Sequence, residues 1–325
     1  MFKALLLEQE GKATVSSVQE LDDSHLPEGE VTVAVEYSSL NYKDGLAITG
    51  KGKIVRNFPM VPGIDFAGTV IDSASPDFSQ GDKVILTGWG VGESHWGGMA
   101  QKARVKARQL VKMPEGLDSR NAMMIGTAGL TAMLCVMALE QSGVTPEQGE
   151  ILVTGASGGV GTVSVALLAK LGYDVVTVSG RPENSAMLVN LGAKLILPRN
   201  RFEEPARPLD KQLWAGAVDT VGSKLLAKVL SEMNYGGTVA ACGLAGGFDL
   251  PTTVMPFILR GVNLQGVDSV MCPTDKRIEA WERLVKLLPE SFYELACRKV
   301  TLEGVAEYAK AITEGQVTGR IIVRV

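Results

Sequence analysis

Three glycines set three residues apart, Gly155, Gly158 and Gly161, lie in the string Gly155-Ala156-Ser157-Gly158-Gly159-Val160-Gly161. An apolar run, Ile151 to Thr154, precedes them. A segment follows whose Val163, Leu167 and Leu171 share one helical face. A strand feeding a glycine turn that opens a helix is the setting in which backbone approaches a pyrophosphate closely. The helix start adds unpaired N–H groups and a partial positive charge. Ser157 can add a hydroxyl, so Ser157, Gly158, Gly159 and Val160 are the candidate phosphate contacts. The spacing is not the strict G-x-G-x-x-G, and a structural turn would show the same glycines. The strand–loop–helix context favours dinucleotide binding.

The next strand carries the selector. A dinucleotide site that holds a free ribose 2′-hydroxyl wants an acid about 20 residues beyond the glycines. Here the strand from Asp174 ends in Val178-Ser179-Gly180-Arg181. A carboxylate would repel a 2′-phosphate, whereas a guanidinium and a hydroxyl would hold it with charge-assisted hydrogen bonds. Ser179, Gly180 and Arg181 therefore favour NADPH over NADH. The bland alternative is a solvated charge ahead of Pro182. Arg199, after the third strand, could reach the same phosphate, or be an exposed loop charge beside Arg201.

The remaining residue types exclude other chemistries. Net charge is −4, with no basic run, so nucleic acid is not an expected partner. The four cysteines, Cys135, Cys242, Cys272 and Cys297, form no CxxC pair, and His25 and His95 are far apart. Free thiols of a reducing cytoplasm are expected, and no metal site. Asn121 to Leu139 lacks any charge and approaches a membrane span in length. Its Gly126, Thr127, Gly129 and Thr131 argue for a buried helix instead, and no membrane is expected. Met1 to Glu8 is too short an apolar run for a signal peptide.

The elements that must position these residues divide by style. With 325 residues, 46% hydrophobic and 21% charged, the chain has material for about two domains of ~150 residues. The first third is β-rich, with runs such as Val31–Val35 and Asp82–Leu86 between Gly, Pro and Asp turns. Glycines crowd at 88, 90, 92, 97 and 98 around Trp89 and Trp96, marking a close-packed loop. A long helix is predicted from about Asp118 to Leu139. Strands then alternate with helices: strands at Ile151–Thr154, Asp174–Val178, Leu195–Leu197, Ala215–Thr220, Thr238–Cys242 and Val262–Val267, with helices at Val160–Leu171, from Pro182 to Leu191, and at Lys224–Met233. Short apolar strands alternating with helices predict an α/β, doubly wound parallel sheet. The tail reads as helices near Lys276–Leu288 and Val305–Ile312 and a strand, Gly319–Val325. The two ends are expected to form one second domain.

The chain resembles the medium-chain dehydrogenase/reductase superfamily along its whole length. The resemblance is carried by Asn41-Tyr42-Lys43-Asp44, Pro62-Gly63-Ile64-Asp65-Phe66-Ala67-Gly68, Gly81-Asp82-Lys83-Val84, Gly126 to Ala132 and the phosphate loop. Leu86 to Gly92, His95-Trp96-Gly97-Gly98 and Asn234 to Gly247 are similar to the bacterial acrylyl-CoA reductase group, also described as AcuI- or YhdH-type quinone oxidoreductases. This implies a GroES-like catalytic domain (1–121 plus 272–325) around a Rossmann NADPH-binding domain (122–271). It also implies NADPH-dependent reduction of acrylyl-CoA, a CoA thioester, to propionyl-CoA, and a homodimer, in the cytoplasm that the free thiols predict. Zinc-dependent members carry a Cys at the place of Asn41, a His at Ile64-Asp65 and a four-cysteine lobe. Those residues are missing here, which implies a zinc-independent enzyme.

Hydride addition to an unsaturated thioester builds negative charge on the thioester oxygen, and hydrogen-bond donors must stabilise it. A proton must also reach the α-carbon. By the same resemblance, Tyr42 is the expected proton donor or enolate stabiliser, or else a cofactor contact or a core tyrosine. Asn41 is expected to donate its amide to the substrate carbonyl. Asp65 would orient neighbouring donors or serve as a turn acid. Thr127, Leu244, Ile258 and Ser269 are expected against the nicotinamide, and Gln316 and Arg320 over the cofactor. Lys51, Lys53 and Arg56 place three positive charges within six residues, as a clamp for the CoA phosphates or as a solvated loop. Two other functions fit the same cofactor site: an NADPH:quinone oxidoreductase with an apolar pocket, and an NADPH-binding module without turnover.

Overall fold

The computed structural model describes Met1–Val325. The chain forms two compact units. The first comprises Met1–Thr127, Ser269–Val285 and Cys297–Val325; the second comprises Ala128–Asp268 and Lys286–Ala296. The helix Ser119–Gln141 is broken at Gly126 (φ 55°, ψ −159°), and the division falls at that break. Lys286–Ala296 groups with the second unit.

The first unit is built on a seven-stranded sheet. Its order is Cys297–Thr301, Arg320–Arg324, Val31–Leu40, Asp65–Ser73, Lys83–Thr87 and Leu110–Lys112, with Lys102–Val105 also paired to Val31–Leu40. Val31, Val33, Val35, Phe66, Val70, Val84 and Leu86 bury one continuous core. A hairpin of Phe2–Glu10 and Ala13–Leu21 turns at Gly11, whose positive φ suits a tight turn. The helix Tyr42–Thr49 crosses the helix Val305–Thr313 at Gly45. A Cβ there would lie 2.5 Å from Ile312 Cγ2, so glycine is what lets the two helices approach. The start of the helix, and with it Tyr42, is held by the reciprocal Asn41–Asp44 cap.

The second unit holds a six-stranded parallel sheet, as the alternating pattern predicts. The strand order is Leu195–Pro198, Val175–Ser179, Ile151–Val153, Trp214–Asp219, Met233–Ala241 and Asn263–Gly266. Order reverses between Ile151–Val153 and Trp214–Asp219, the switch point at which such sheets bind ligands. Leu152, Val176, Val178, Ala217, Val229, Leu230 and Val239 form its core. The helix Gly159–Lys170 is apolar nearly all round because its interior is buried. The charge-free window of the helix Ser119–Gln141 is entirely buried, as a core helix should be.

Candidate active site

The helix Gly159–Lys170 starts at Gly158, which has extended backbone (φ −85°, ψ −180°), and the first N–H groups beyond it have no partner within the helix. Gly155 turns with φ 56°, and a Cβ there would meet Thr220 Oγ1 at 2.3 Å. At Gly161 a Cβ would meet the Gly155 carbonyl oxygen at 2.3 Å. The helix thus packs directly onto the glycine turn and presents Gly159 and Val160 N–H as an anion cradle.

The expected selector residues come together beside this cradle. Pro198 and Ser179 are register partners at the ends of adjacent parallel strands. Gly180 leaves room for the Arg199 side chain, whose Cδ would be 3.3 Å from a Cβ at that position. Arg181 Nη2 donates to Ser157 Oγ at 3.0 Å, and Arg181 N donates to Ser179 Oγ at 3.2 Å. One hydroxyl of the phosphate loop and two guanidinium-bearing residues therefore line the same strand ends. Burial lowers the Arg181 pKa, and Glu183 opposes this. Donors and charge fit a dinucleotide carrying a 2′-phosphate.

At the neighbouring strand end stands Asp219, which is not among the expected site residues. Asp219 is buried, and burial raises its carboxyl pKa. It accepts from Thr154 Oγ1 (2.7 Å) and Gly222 N (2.8 Å), while Thr220 Oγ1 donates to the Thr154 carbonyl at 3.0 Å. These bonds tie the phosphate loop to the next turn. A cleft of about 480 Å³ follows, lined by Cys242, Gly243, Leu244, Val267 and Asp268 among others. Leu244 is thus in the cleft. Ile258 is exposed on the helix Met255–Arg260 and does not line it. The only sequence signal for Asp219 was an acid closing an otherwise apolar strand.

In the first unit, Tyr42 begins its helix and is 37% exposed, so its phenol is accessible. Asn41 is 8% exposed. Its Nδ2 donates to Asp65 Oδ2 (3.0 Å) and Ser39 Oγ (3.2 Å), and its Oδ1 accepts from Arg320 Nη1 (3.3 Å). Both amide protons are engaged in this buried cluster. To donate to a substrate carbonyl, as expected, Asn41 would have to release one of these bonds. Arg320 is likewise buried rather than closing over a cofactor, and it donates to Ser39 Oγ at 2.7 Å and to the Met124 carbonyl at 3.1 Å. Asp65 accepts from Ser39 N, Ser39 Oγ and Thr127 N, the last at 2.8 Å. Asp44 accepts from the backbone N–H groups of Asn41, Gly63 and Ile64. Burial, then the charge of Asp65, push its carboxyl up to about 7 against those hydrogen bonds.

Other expected residues lie apart from this cluster. Ser269 is half-buried at the start of the returning segment, and its carbonyl accepts from Arg277 at 3.3 Å. Gln316 is exposed in the turn before the last strand. Lys51 reaches Thr313 (3.1 Å) and Glu314 (3.6 Å), while Lys53 and Arg56 are exposed.

The comparisons with known proteins follow this division. Residues 27–115 match the alcohol dehydrogenase GroES-like domain, and residues 159–290 match the family described as zinc-binding dehydrogenase. The chain is 66% identical to "Probable acrylyl-CoA reductase AcuI" of Escherichia coli K12, covering 99% of each. It is 55% identical to acrylyl-CoA reductase AcuI of Ruegeria pomeroyi, covering 100% of this chain and 99% of the relative. The crystal structure of the yhdH oxidoreductase from Salmonella enterica in complex with NADP superposes with a TM-score of 0.98 at 65% identity, covering 99% of each chain. Fold and site define a nicotinamide-dependent medium-chain dehydrogenase/reductase. Within that superfamily, the chain belongs to the family of the AcuI acrylyl-CoA reductases.

Zinc, implied by one family description, does not fit the residues present. No group of three or more His, Cys, Asp or Glu side chains is placed to hold a metal ion. Asp65 is already saturated by neutral donors, and His95 Nε2 lies 2.7 Å from the Arg104 carbonyl oxygen.

Proposed function

We infer that this protein reduces the C=C bond of acrylyl-CoA to propionyl-CoA with NADPH. The observation that carries the cofactor half is the Ser157–Arg181 contact beside Arg199 at the phosphate cradle. The substrate half is supported by the AcuI relatives. Bound there, NADPH would supply the hydride for the β-carbon. The N–H groups of Gly159 and Val160 would hold the pyrophosphate, and Ser179, Arg181 and Arg199 the 2′-phosphate.

Charge gathers on the thioester oxygen as the β-carbon is reduced, and a proton adds to the α-carbon. Tyr42 is the group proposed to meet that charge: its phenol is accessible and it begins a helix, where negative charge is favoured. Thr127, Leu244, Ser269, Ile258 and Gln316 remain proposed cofactor contacts. Lys51, Lys53 and Arg56 are the proposed clamp for the CoA phosphates.

The protein is proposed to act in the cytoplasm as a homodimer. The strand Asn263–Gly266 ends the parallel sheet, and Val254 and Leu259 are exposed on the segment leading into it. An open strand edge beside apolar side chains is a surface suited to a second copy.

The test follows NADPH oxidation with acrylyl-CoA, crotonyl-CoA and a benzoquinone, each repeated with NADH. The reading requires the highest kcat/KM with acrylyl-CoA and NADPH. Faster turnover of the quinone would replace it with the oxidoreductase alternative. Tight NADPH binding with no turnover would make the protein a binding module.

A further inference from the structure

The buried cluster of the first unit is only partly explained by a role for Tyr42. Asp65 is 0% exposed and Arg320 is 2% exposed. Two buried charges are costly unless paired and hydrogen-bonded. Here they are joined through intermediaries. Ser39 Oγ donates to Asp65 Oδ1 at 2.7 Å and accepts from Arg320 Nη2 at 2.7 Å. Asn41 repeats the arrangement, donating to Asp65 at 3.0 Å and accepting from Arg320 at 3.3 Å.

Each charge also holds one side of the helix break at Gly126. Arg320 Nε donates to the Met124 carbonyl, at the end of the segment that begins at Ser119. Asp65 Oδ2 accepts from Thr127 N, the first residue after the break. A cation on terminal carbonyls and an anion on initial N–H groups is the favourable pairing with both half-helix dipoles. The space a Gly126 side chain would need is occupied by Arg320 Nη2, Ser39 Oγ and Asp65 Oδ2, at 2.5, 2.9 and 3.0 Å from an added Cβ. The same three side chains also hold Asn41, the residue immediately before Tyr42.

We propose that Asp65 and Arg320 are positioning residues for the reduction, bridged by Ser39 and Asn41 into a frame that holds the Asn41–Tyr42 turn and the Gly126–Thr127 break in one fixed geometry. The proposal rests on the reading that Tyr42 meets the thioester oxygen. The frame acts through the residues it orients. A displacement of about 1 Å at a reacting group can cost about a hundredfold in rate, so such a frame has a kinetic role that stability alone does not capture.

Ser39→Ala tests it without removing a charge. The full chain is assayed with whichever acceptor the wild type turns over fastest. We expect kcat to fall about tenfold or more, while the NADPH Kd, read by cofactor fluorescence, stays within about twofold. Because Ser39 acts through Tyr42, Ser39→Ala added to Tyr42→Phe should cost little beyond Tyr42→Phe alone. Asp65→Asn should behave like Ser39→Ala; if that variant does not fold, the Ser39 pair still decides. A folded, NADPH-binding Ser39→Ala with wild-type kcat overturns the proposal. So does a loss that multiplies fully with that of Tyr42→Phe. Unchanged turnover in Tyr42→Phe removes the reading beneath it, and a quinone preferred over acrylyl-CoA removes only the substrate assignment.

Discussion

Asp65 Oδ2 lies 2.8 Å from the N–H of Thr127, 62 positions later in the chain and directly beyond the helix break. An acid on a strand of the first unit thereby supplies the acceptor that a capping side chain usually provides from within a helix's own N-terminus. Capping from this distance demands a tight backbone bend at Gly126, and no Cβ can be accommodated in it.

Gly126→Ala should therefore be costly for two reasons. The residue has φ 55° with ψ −159°, which glycine alone adopts readily, and the new methyl would sit 2.5 Å from Arg320 Nη2. A loss of about 2–4 kcal/mol in unfolding free energy is expected, measured by urea denaturation. A variant within about 0.5 kcal/mol of wild type would show that the break relaxes freely.

Arg181→Ala removes a guanidinium that now rests on Ser157 at the phosphate cradle. KM for NADPH should rise about tenfold to a hundredfold, and KM for NADH should barely move. Arg181→Ala combined with Arg199→Ala should bring the two cofactors close to parity. Rising salt should weaken NADPH more in wild type than in the double variant. If both single substitutions raise the two KM values equally, the pair does not read the 2′-phosphate.

The cofactor cradle was legible in the sequence because it is local: strand, glycines and helix follow one another within about one βα unit. The parallel strands were legible for the same reason, being short apolar runs buried on both faces. The cluster around Asp65 was not. Its members, Ser39, Asn41, Asp65 and Arg320, come from three strands and a loop that pair only in the fold. Asn41 consequently read as a substrate donor. Arg320 stands before the apolar run Ile321–Val323, and an inward-pointing charge there was the one available clue. Polar elements were also missed. Cys297–Thr301 is an edge strand exposing Arg298 and Lys299, so it lacks the alternation of a half-buried strand. The helix expected to run to Met233 stops at Ser231, since Met233 already begins a strand paired to Trp214.

The basic loop offers a sharper division than its charge count suggested. Lys51 is already engaged with Thr313 and Glu314, whereas Lys53 and Arg56 are exposed. If these residues clamp CoA phosphates, Lys53→Ala with Arg56→Ala should raise KM for acrylyl-CoA about tenfold, leaving KM for NADPH within about twofold. Lys51→Ala should have the smaller effect, because its ammonium is shared with Glu314. A short acrylyl thioester lacking the nucleotide should be insensitive to all three. Equal shifts for NADPH and acrylyl-CoA would leave the loop as a solvated face.

Asp44 gives the fold a pH dependence whose sign can be worked out. Its folded pKa of about 7 lies above the ordinary 3.8, so the folded chain holds this proton more tightly than the unfolded one. Its contribution to stability is therefore greatest at low pH and is lost as pH rises from about 4 through about 7. The cause is burial beside Asp65, only partly offset by the N–H groups of Asn41, Gly63 and Ile64. Asp44→Asn cannot ionise, and one of those N–H groups would face an amide in place of an oxygen, costing about 1–3 kcal/mol at acidic pH. Between pH 5 and pH 8, wild type should lose more unfolding free energy than Asp44→Asn, so the two curves converge as pH rises. Urea unfolding at four pH values across that interval measures it, and parallel curves would place the Asp44 proton outside the window.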